Sequence, residues 1–277
     1  MKQPLAPLGT VMAYSAANFG VNMVNAFSNF ALPLYLAGYG LPAWVVGVLA
    51  QQDSSLGGIE QPIIGLISDR TRSRLGRRRP FFVVGVLLVV LSLVVLSSHP
   101  PFWAVVLLLT IFASFLAVAS NPYQALMADL FPSEQRGRVG GAAGLTNMAG
   151  QVSFLFLSSF LWERNEPLAF YLVAGGLVAG FAVTFWGVRE PEAIAEPAAW
   201  SWGRLGRYLG ELPSHREFAK YSLSQLFYWF GVGGAVPFLT RFGVVVLGVS
   251  EGDAFLLSMV LVISTFLFTL QIGRAHV

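Results

Sequence analysis

Cysteine is absent from the 277 residues, which removes disulfides, thiol nucleophiles and thiolate metal sites from consideration. Charge is scarce too: Asp, Glu, Lys and Arg make up 11% of the chain, against about 25% in soluble domains. So little polar surface cannot clothe a water-soluble globule. The three histidines stand singly, so no metal site is expected. No nucleophile–base pair and no Gly-Lys-Ser phosphate loop is present. The chain is therefore not read as an enzyme, and no cofactor is implied. A formal net charge of only +3, with its basic residues confined to a few loops, argues against nucleic acid as a partner. The first apolar stretch is too long, and too poor in a small-residue cleavage site, to be read as a signal peptide.

What is abundant is apolar. Hydrophobic residues account for 55% of the chain and the mean hydropathy is +0.66. Eight stretches approach the roughly 20 residues needed to cross a bilayer: Val11–Leu36, Trp44–Ile67, Phe81–Ser98, Phe102–Ala128, Gly140–Trp162, Leu168–Val188, Phe218–Phe242 and Ala254–Leu270. Seven Trp and eight Tyr suit anchoring at the two interfaces. The connections alternate in charge. Lys2, the run Arg70 to Arg79, Arg136 with Arg138, and Arg189, Arg204, Arg207, Arg216 and Lys220 all fall on one side. That asymmetry predicts a multi-pass protein of the cell membrane with a cytoplasmic N-terminus. Residues Trp200–Leu212 are expected to lie at the interface as a short helix, with Arg204 and Arg207 toward anionic lipid.

The most charged loop reads Gly65-Leu-Ile-Ser-Asp69-Arg70-Thr-Arg-Ser-Arg-Leu-Gly76-Arg77-Arg78-Arg79-Pro80. Asp69 ends the second span, Arg77 and Arg78 open the third, and Asp129 ends the fourth on the same face. Carboxylates and guanidiniums so placed can form a partly desolvated network that ties the helices together. The pattern Gly65, Asp69, Arg70, then Gly76, Arg77 and Arg78 after the spacer Thr71 to Leu75, resembles the major facilitator superfamily. So does Asn121-Pro-Tyr-Gln-Ala-Leu-Met-Ala-Asp129-Leu, leading into Pro132-Ser-Glu134-Gln-Arg136-Gly137-Arg138. The Ser-Arg-x-Gly-Arg-Arg-Arg-Pro form is similar to the sucrose–proton symporter and glycoside–pentoside–hexuronide branches. The Gly-Pro-x-x-Gly-Gly of drug–proton antiporters has no counterpart in Ser153–Trp162. The Pro-Glu-Ser-Pro-Arg of facilitative sugar porters is replaced by Arg189-Glu190-Pro191-Glu192.

The resemblance implies an all-α integral membrane bundle of major facilitator type. A complete six-helix block would occupy 1–188, a cytoplasmic inter-block loop 189–217, and about two helices of a second block 218–271. It implies a secondary carrier that works by alternating access, here a proton-coupled symporter of a sugar or glycoside. Transport of another organic solute, or a non-transporting scaffold or assembly factor on the same fold, are the alternatives. Gly65, Asp69, Arg70, Gly76, Arg77, Arg78, Asp129, Arg136 and Arg138 would then belong to an inner gate that favours the outward-open state. The expected partners are the solute, protons and the lipid bilayer. Residues Ile272-Gly-Arg-Ala-His-Val277 back-translate to a stretch that resembles a sequencing adapter. They are read as a non-native tail on a chain that continues, and the eight helices alone are expected to be inactive.

Ionisable groups at membrane depth mark functional paths. Asp53 lies near the middle of the second span and Glu60 seven residues, or about 10 Å, further along the same face. A buried carboxylate can take up protons near neutral pH, so Asp53 is the candidate proton carrier and Glu60 its relay; pairing with a further helix is the structural alternative. Asn18, Asn22, Asn25 and Asn29, spaced four, three and four, align on one face of the first span. Their paired donors and acceptors suit sugar hydroxyls, although amides also join membrane helices. Asn22, Asn25 and Asn29 are taken as solute-binding candidates. Asn121 and Gln124 beside Pro122, Asn147 with Gln151, and Gln225, Tyr228 and Trp229 are open to either packing or solute contact.

Overall fold

Proline sets where many of the helices begin. In this computed structural model, which describes residues 5–190 and 216–274, Pro7, Pro42, Pro101 and Pro132 each stand at a helix N-cap with φ between −57° and −64°. The ring fixes φ near these values and supplies no N–H to be stranded. The helices are α1 (Leu8–Ala26), α2 (Leu32–Ala37), α3 (Ala43–Ala50), α4 (Gln52–Arg70), α5 (Arg79–Leu96) and α6 (Phe102–Leu130). Then come α7 (Ser133–Gly187), α8 (Arg216–Ala235), α9 (Leu239–Val245) and α10 (Glu251–Arg274). Side chains at 53–55, 58, 59, 62, 218, 222, 226, 229 and 269–274 lie outside the described residues. So do the expected interfacial helix at 200–212 and residues 275–277. No strand occurs among the described residues.

Four of these helices are long and apolar enough to cross a membrane: α5, α6, α7 and residues 251–268 of α10. At 1.5 Å per residue, the 55-residue α7 would be about 80 Å long, far beyond a hydrocarbon core of about 30 Å. Asn165 resolves this with φ −158° and ψ 78°, turning α7 into two arms that match the expected fifth and sixth spans. The expected first span is likewise divided. Pro33 cannot donate to Asn29 and its ring crowds that carbonyl, and the ladder widens into a π turn at Phe27–Ala31 between α1 and α2. The second span breaks at Gln51 (φ −107°, ψ 18°) between α3 and α4.

One unit comprises residues up to 191 together with 237–277. Within it α1 lies between the two arms of α7, at distances only glycine permits. A Cβ on Gly20 would come within 2.6 Å of the Gly176 carbonyl, and one on Gly180 within 2.5 Å of the Ala16 carbonyl. Small residues at such crossings let membrane helices pack backbone to backbone. Thr184 fastens the contact: its Oγ1 donates to the Ala13 carbonyl at 2.7 Å and accepts from the Ala17 N–H at 3.0 Å. Phe27 is fully buried against the rings of Phe112, Phe154 and Phe170. The second unit, 192–236, contains α8, which carries an ion pair between Lys220 and Glu217 at 2.8 Å.

Candidate functional site

The loop between α4 and α5 closes on a carboxylate cluster. Arg77 reaches Asp129 on α6 at 2.6 Å, and Arg78 reaches the same Asp129 at 2.8 Å and Asp69 at 3.4 Å. Arg78 is 4% exposed and also donates to the Pro122 carbonyl at 3.2 Å. Its Nε is buried without a hydrogen bond among the described residues. Glu190, directly after α7, caps the start of α5. It accepts from the backbone N–H of Arg77 at 3.0 Å and of Arg78 at 3.0 Å. Gly76 makes the approach feasible: its φ is +110°, and a Cβ there would run into the Glu190 carboxylate.

The other residues expected at this gate stand apart from the cluster. Arg136 donates from Nε to the Phe131 carbonyl and from Nη2 to the Ala128 carbonyl, at 3.2 and 3.3 Å, and so caps the end of α6. Arg70 and Arg138 are exposed, and open space surrounds Gly65. Sequence reasoning used Glu190 only as a departure from a signature and missed its role. The available signal was a carboxylate on the basic face, directly after the sixth span.

A polar cleft of 210 Å³ lies between α1, α4 and α6, lined among others by Asn25, Gly57, Gln61, Ser120, Asn121 and Gln124. At roughly 30 Å³ per water it has room for about seven waters, hence for a small solute rather than one structural water. Gly57 keeps bulk away from the α4 wall. Two buried polar atoms lack partners among the described residues: Nδ2 of Asn121, a lining residue, and Oε2 of Glu60, which stands beside the cleft and does not line it. Glu60 Oε1 accepts from Ser114 Oγ at 2.6 Å. It stands between the lining residues Gly57 and Gln61 on α4, while Ser114 adjoins the lining Ala113 on α6. The Asp53 side chain lies outside the described residues.

The asparagine row is bonded along its length. Asn18 donates to the Ala143 carbonyl at 2.6 Å, Asn22 to the Asn18 carbonyl at 2.8 Å, and Asn25 to Asn22 Oδ1 at 3.3 Å. Asn29 donates to the Asn25 carbonyl at 2.8 Å, and its Oδ1 accepts from Gln51 at 3.5 Å. Asn25 lines the cleft, Asn22 is buried behind it, and Asn29 points to the α3–α4 break. On the first arm of α7, Gln151 donates to Asn147 at 2.6 Å. Gln225 donates to Tyr221 at 2.8 Å within the second unit; Tyr228 is exposed there, and the Trp229 side chain lies outside the described residues. The structure thus brings together Asn25, Asn121 and Gln124 at the cleft, with Glu60 beside it on α4. Gln61 and Ser120 join them without having been singled out from the sequence.

At the face opposite the arginines, α9 and the turn before it close against the π turn, α2 and α3, and α10 closes against α7. Thr240 Oγ1 donates to the Phe30 carbonyl at 2.6 Å. A Cβ on Gly47 would stand 3.1 Å from the Phe238 ring, and one on Gly252 2.5 Å from the Ser159 carbonyl. The Gly252 N–H donates to Glu163 at 3.1 Å, and Phe255 is fully buried against Phe154 and Trp162. At the kink between the arms of α7, Glu166 is pushed up by burial, opposed by His99, whose Nε2 is 3.1 Å away.

A family model described as "MFS/sugar transport protein" matches residues 13–276. Among curated proteins, an uncharacterized symporter of Bacillus subtilis is 25% identical over 190 residues, covering 63% of this chain and 41% of that protein. An uncharacterized symporter of Synechocystis sp. is 39% identical over 79 residues, 28% of this chain and 14% of its own length. A sucrose transport protein of Oryza sativa subsp. indica is 29% identical over 119 residues, 35% of this chain and 21% of its own. The matched chain thus spans well under half the length of these relatives. The fold is shared with two solved structures. A bacterial homolog of the human lysosomal transporter Spinster, inward-facing and unoccupied, has a TM-score of 0.65 at 17% identity, covering 92% of this chain and 58% of that one. A D-xylose–proton symporter has a TM-score of 0.57 at 18% identity, covering 95% and 67%.

Proposed function

Because the chain belongs to the major facilitator superfamily, in its MFS/sugar transport protein family, we propose that it is part of a secondary membrane carrier. The carrier moves a sugar or glycoside together with a proton by alternating access. The observation that carries this reading is the cleft between α1, α4 and α6. Amides from three helices converge there, and among the described residues Asn121 Nδ2 on its wall and Glu60 Oε2 beside it are left without partners. Buried polar atoms are rarely left unpaired. A hydroxylated solute supplies both donors and acceptors to Asn25, Gln61, Asn121 and Gln124. Glu60, with Asp53 one to two turns away on α4, takes up and releases the proton.

The two-block organisation belongs to the same reading, with boundaries at 188 and 217, a cytoplasmic N-terminus and a cell-membrane location. So does the assignment of Asp69, Arg77, Arg78 and Asp129 to an inner gate, assisted by Glu190. In this reading the contacts of α9 and α10 close the outer face. The named functions of the sucrose transport protein and of the D-xylose–proton symporter support a sugar as the solute.

The test is uptake by the carrier expressed from its native locus and reconstituted in proteoliposomes. Wild-type protein should accumulate a glycoside or sugar when the outside is acid, while Glu60→Gln and Asp53→Asn should exchange it without accumulation. Undiminished uphill uptake in both variants rejects proton coupling through these carboxylates.

A further inference from the structure

Arg79 is held differently from its neighbours. Arg77 and Arg78 pair with carboxylates, whereas Arg79 pairs with none among the described residues. Its guanidinium carbon lies 4.9 Å from the centre of the Phe185 ring, and its Nη2 donates to the Val188 carbonyl. The ring and the carbonyl fix the plane of the guanidinium, and its Nε and Nη1 donate to nothing among the described residues. Beside it opens a groove of 360 Å³ between α5 and the second arm of α7, walled by Val83, Val86, Leu87, Val178, Phe185 and Trp186. Phe82 and Phe181 form its floor, with ring centres 5.4 Å apart. Along α5 the groove runs from Phe82 to Val90, about 12 Å at 1.5 Å per residue. That is close to the depth of one leaflet, about half of a 30 Å core.

Three further features fix the chemistry of an occupant. The walls carry almost no polar group, so the buried part must be hydrocarbon. Trp186 is 79% exposed at the groove's basic end, the position where an indole anchors at the headgroup level. Arg189, next in sequence to Val188, is exposed, while the nearby Asp129 and Glu190 are committed to Arg77 and Arg78. The mouth of the groove is therefore positive and presents a positioned guanidinium with free donors. A guanidinium fork matches the oxygens of a phosphate. A choline or ethanolamine headgroup would bring a second positive charge against Arg79 and Arg189.

We propose that this groove is a specific site for one anionic phospholipid, with an acyl chain lying between α5 and α7 and the phosphate on Arg79. The site is separate from the solute cleft and does not depend on which solute is carried.

Trp186 provides the readout. Purified protein is placed in nanodiscs with phosphatidylglycerol or phosphatidylcholine brominated in the acyl chain. The emission of Trp186 is taken as the difference between wild type and Trp186→Phe. Brominated phosphatidylglycerol should quench that emission at about fivefold lower mole fraction, the factor one basic side chain near the surface confers. The preference should shrink in high salt and vanish in Arg79→Gln. Equal quenching by the two lipids in the wild-type protein overturns the site, whatever the variant does. A preference that survives Arg79→Gln overturns the placement of the phosphate. Trp186 shielded from both lipids would show that protein, such as a second copy of the chain, covers the groove, and would overturn the proposal as well.

Discussion

Removing the Asp129 carboxylate should destabilise the protein far more than removing that of Asp69, although both touch Arg78. Asp129 lies 2.6 Å from Arg77 and 2.8 Å from Arg78, with 24% of its side chain exposed. Asp69 lies 3.4 Å from Arg78 and is 49% exposed. Taking one partner from a fully buried ion pair costs about 3–5 kcal/mol, because the other charge is left stranded. Arg78 meets the condition of burial, but the partial exposure of Asp129 admits water, which lowers the expected cost of Asp129→Asn to about 2 kcal/mol. Asp69→Asn should cost no more than about 0.5 kcal/mol. For a chain of this size 2 kcal/mol corresponds to a fall of about 4–8 °C in Tm, measurable by thermal shift in detergent. A cycle with Arg78→Gln isolates the pair, because the double variant should lose much less than the sum of the singles. Additive losses, or a larger loss for Asp69→Asn than for Asp129→Asn, would refute the assignment of Asp129 as the hub.

Gly252→Val should pry α10 from α7, since its added carbons meet the Ser159 backbone; overpacking of this kind costs about 1–3 kcal/mol. As the chain has no cysteine of its own, a single Ser158→Cys reporter is clean, and its alkylation should quicken in the Gly252→Val background; an unchanged rate rejects the clash. The raised Glu166 carboxyl gives a pH dependence of defined sign. Between its ordinary and its raised pKa the folded protein binds more protons than the unfolded chain, so stability falls as pH rises through that window. Tm against pH should therefore slope less steeply in Glu166→Gln, and identical slopes would count against the burial account.

The architecture was largely legible because membrane spans announce themselves by apolar length and by the charge of their connections. The expected boundaries at Phe102, Leu168 and Val188 fall within a few residues of a helix start, a kink and a helix end. The break at Gln51 was not legible, since no proline or glycine marks it. In the first span, by contrast, Pro33 stands beside the π turn that bends it. The cleft was legible in part. Asn25, Asn121 and Gln124 stood out as amides in apolar helices, whereas Gln61 and Ser120 became neighbours only through the crossing of α4 and α6. Four aligned asparagines read as one wetted face, yet an Asn in a helix can also donate to the carbonyl one turn back, as Asn22 and Asn29 do. For Glu190 the sequence offered only a carboxylate on the basic face; its partners Arg77 and Arg78 lie more than a hundred residues away.

The seating of α1 between the arms of α7 bears on how the protein is made. Asn18 finds its carbonyl partner 125 residues later, and Ala13 and Ala17 meet Thr184 across 171 and 167 residues. During synthesis the first helix leaves the ribosome long before either arm exists. The Asn18 amide lacks this partner until 125 further residues have been made, and an unmatched polar group in hydrocarbon is costly. The segment must therefore wait in a protected place, such as the insertion machinery or a membrane chaperone. The glycine-lined slot at 20, 176 and 180 is complete only once the second arm has been made, so the full seating of α1 comes late, and a defect in the last helix of this block would present as a failure of the first.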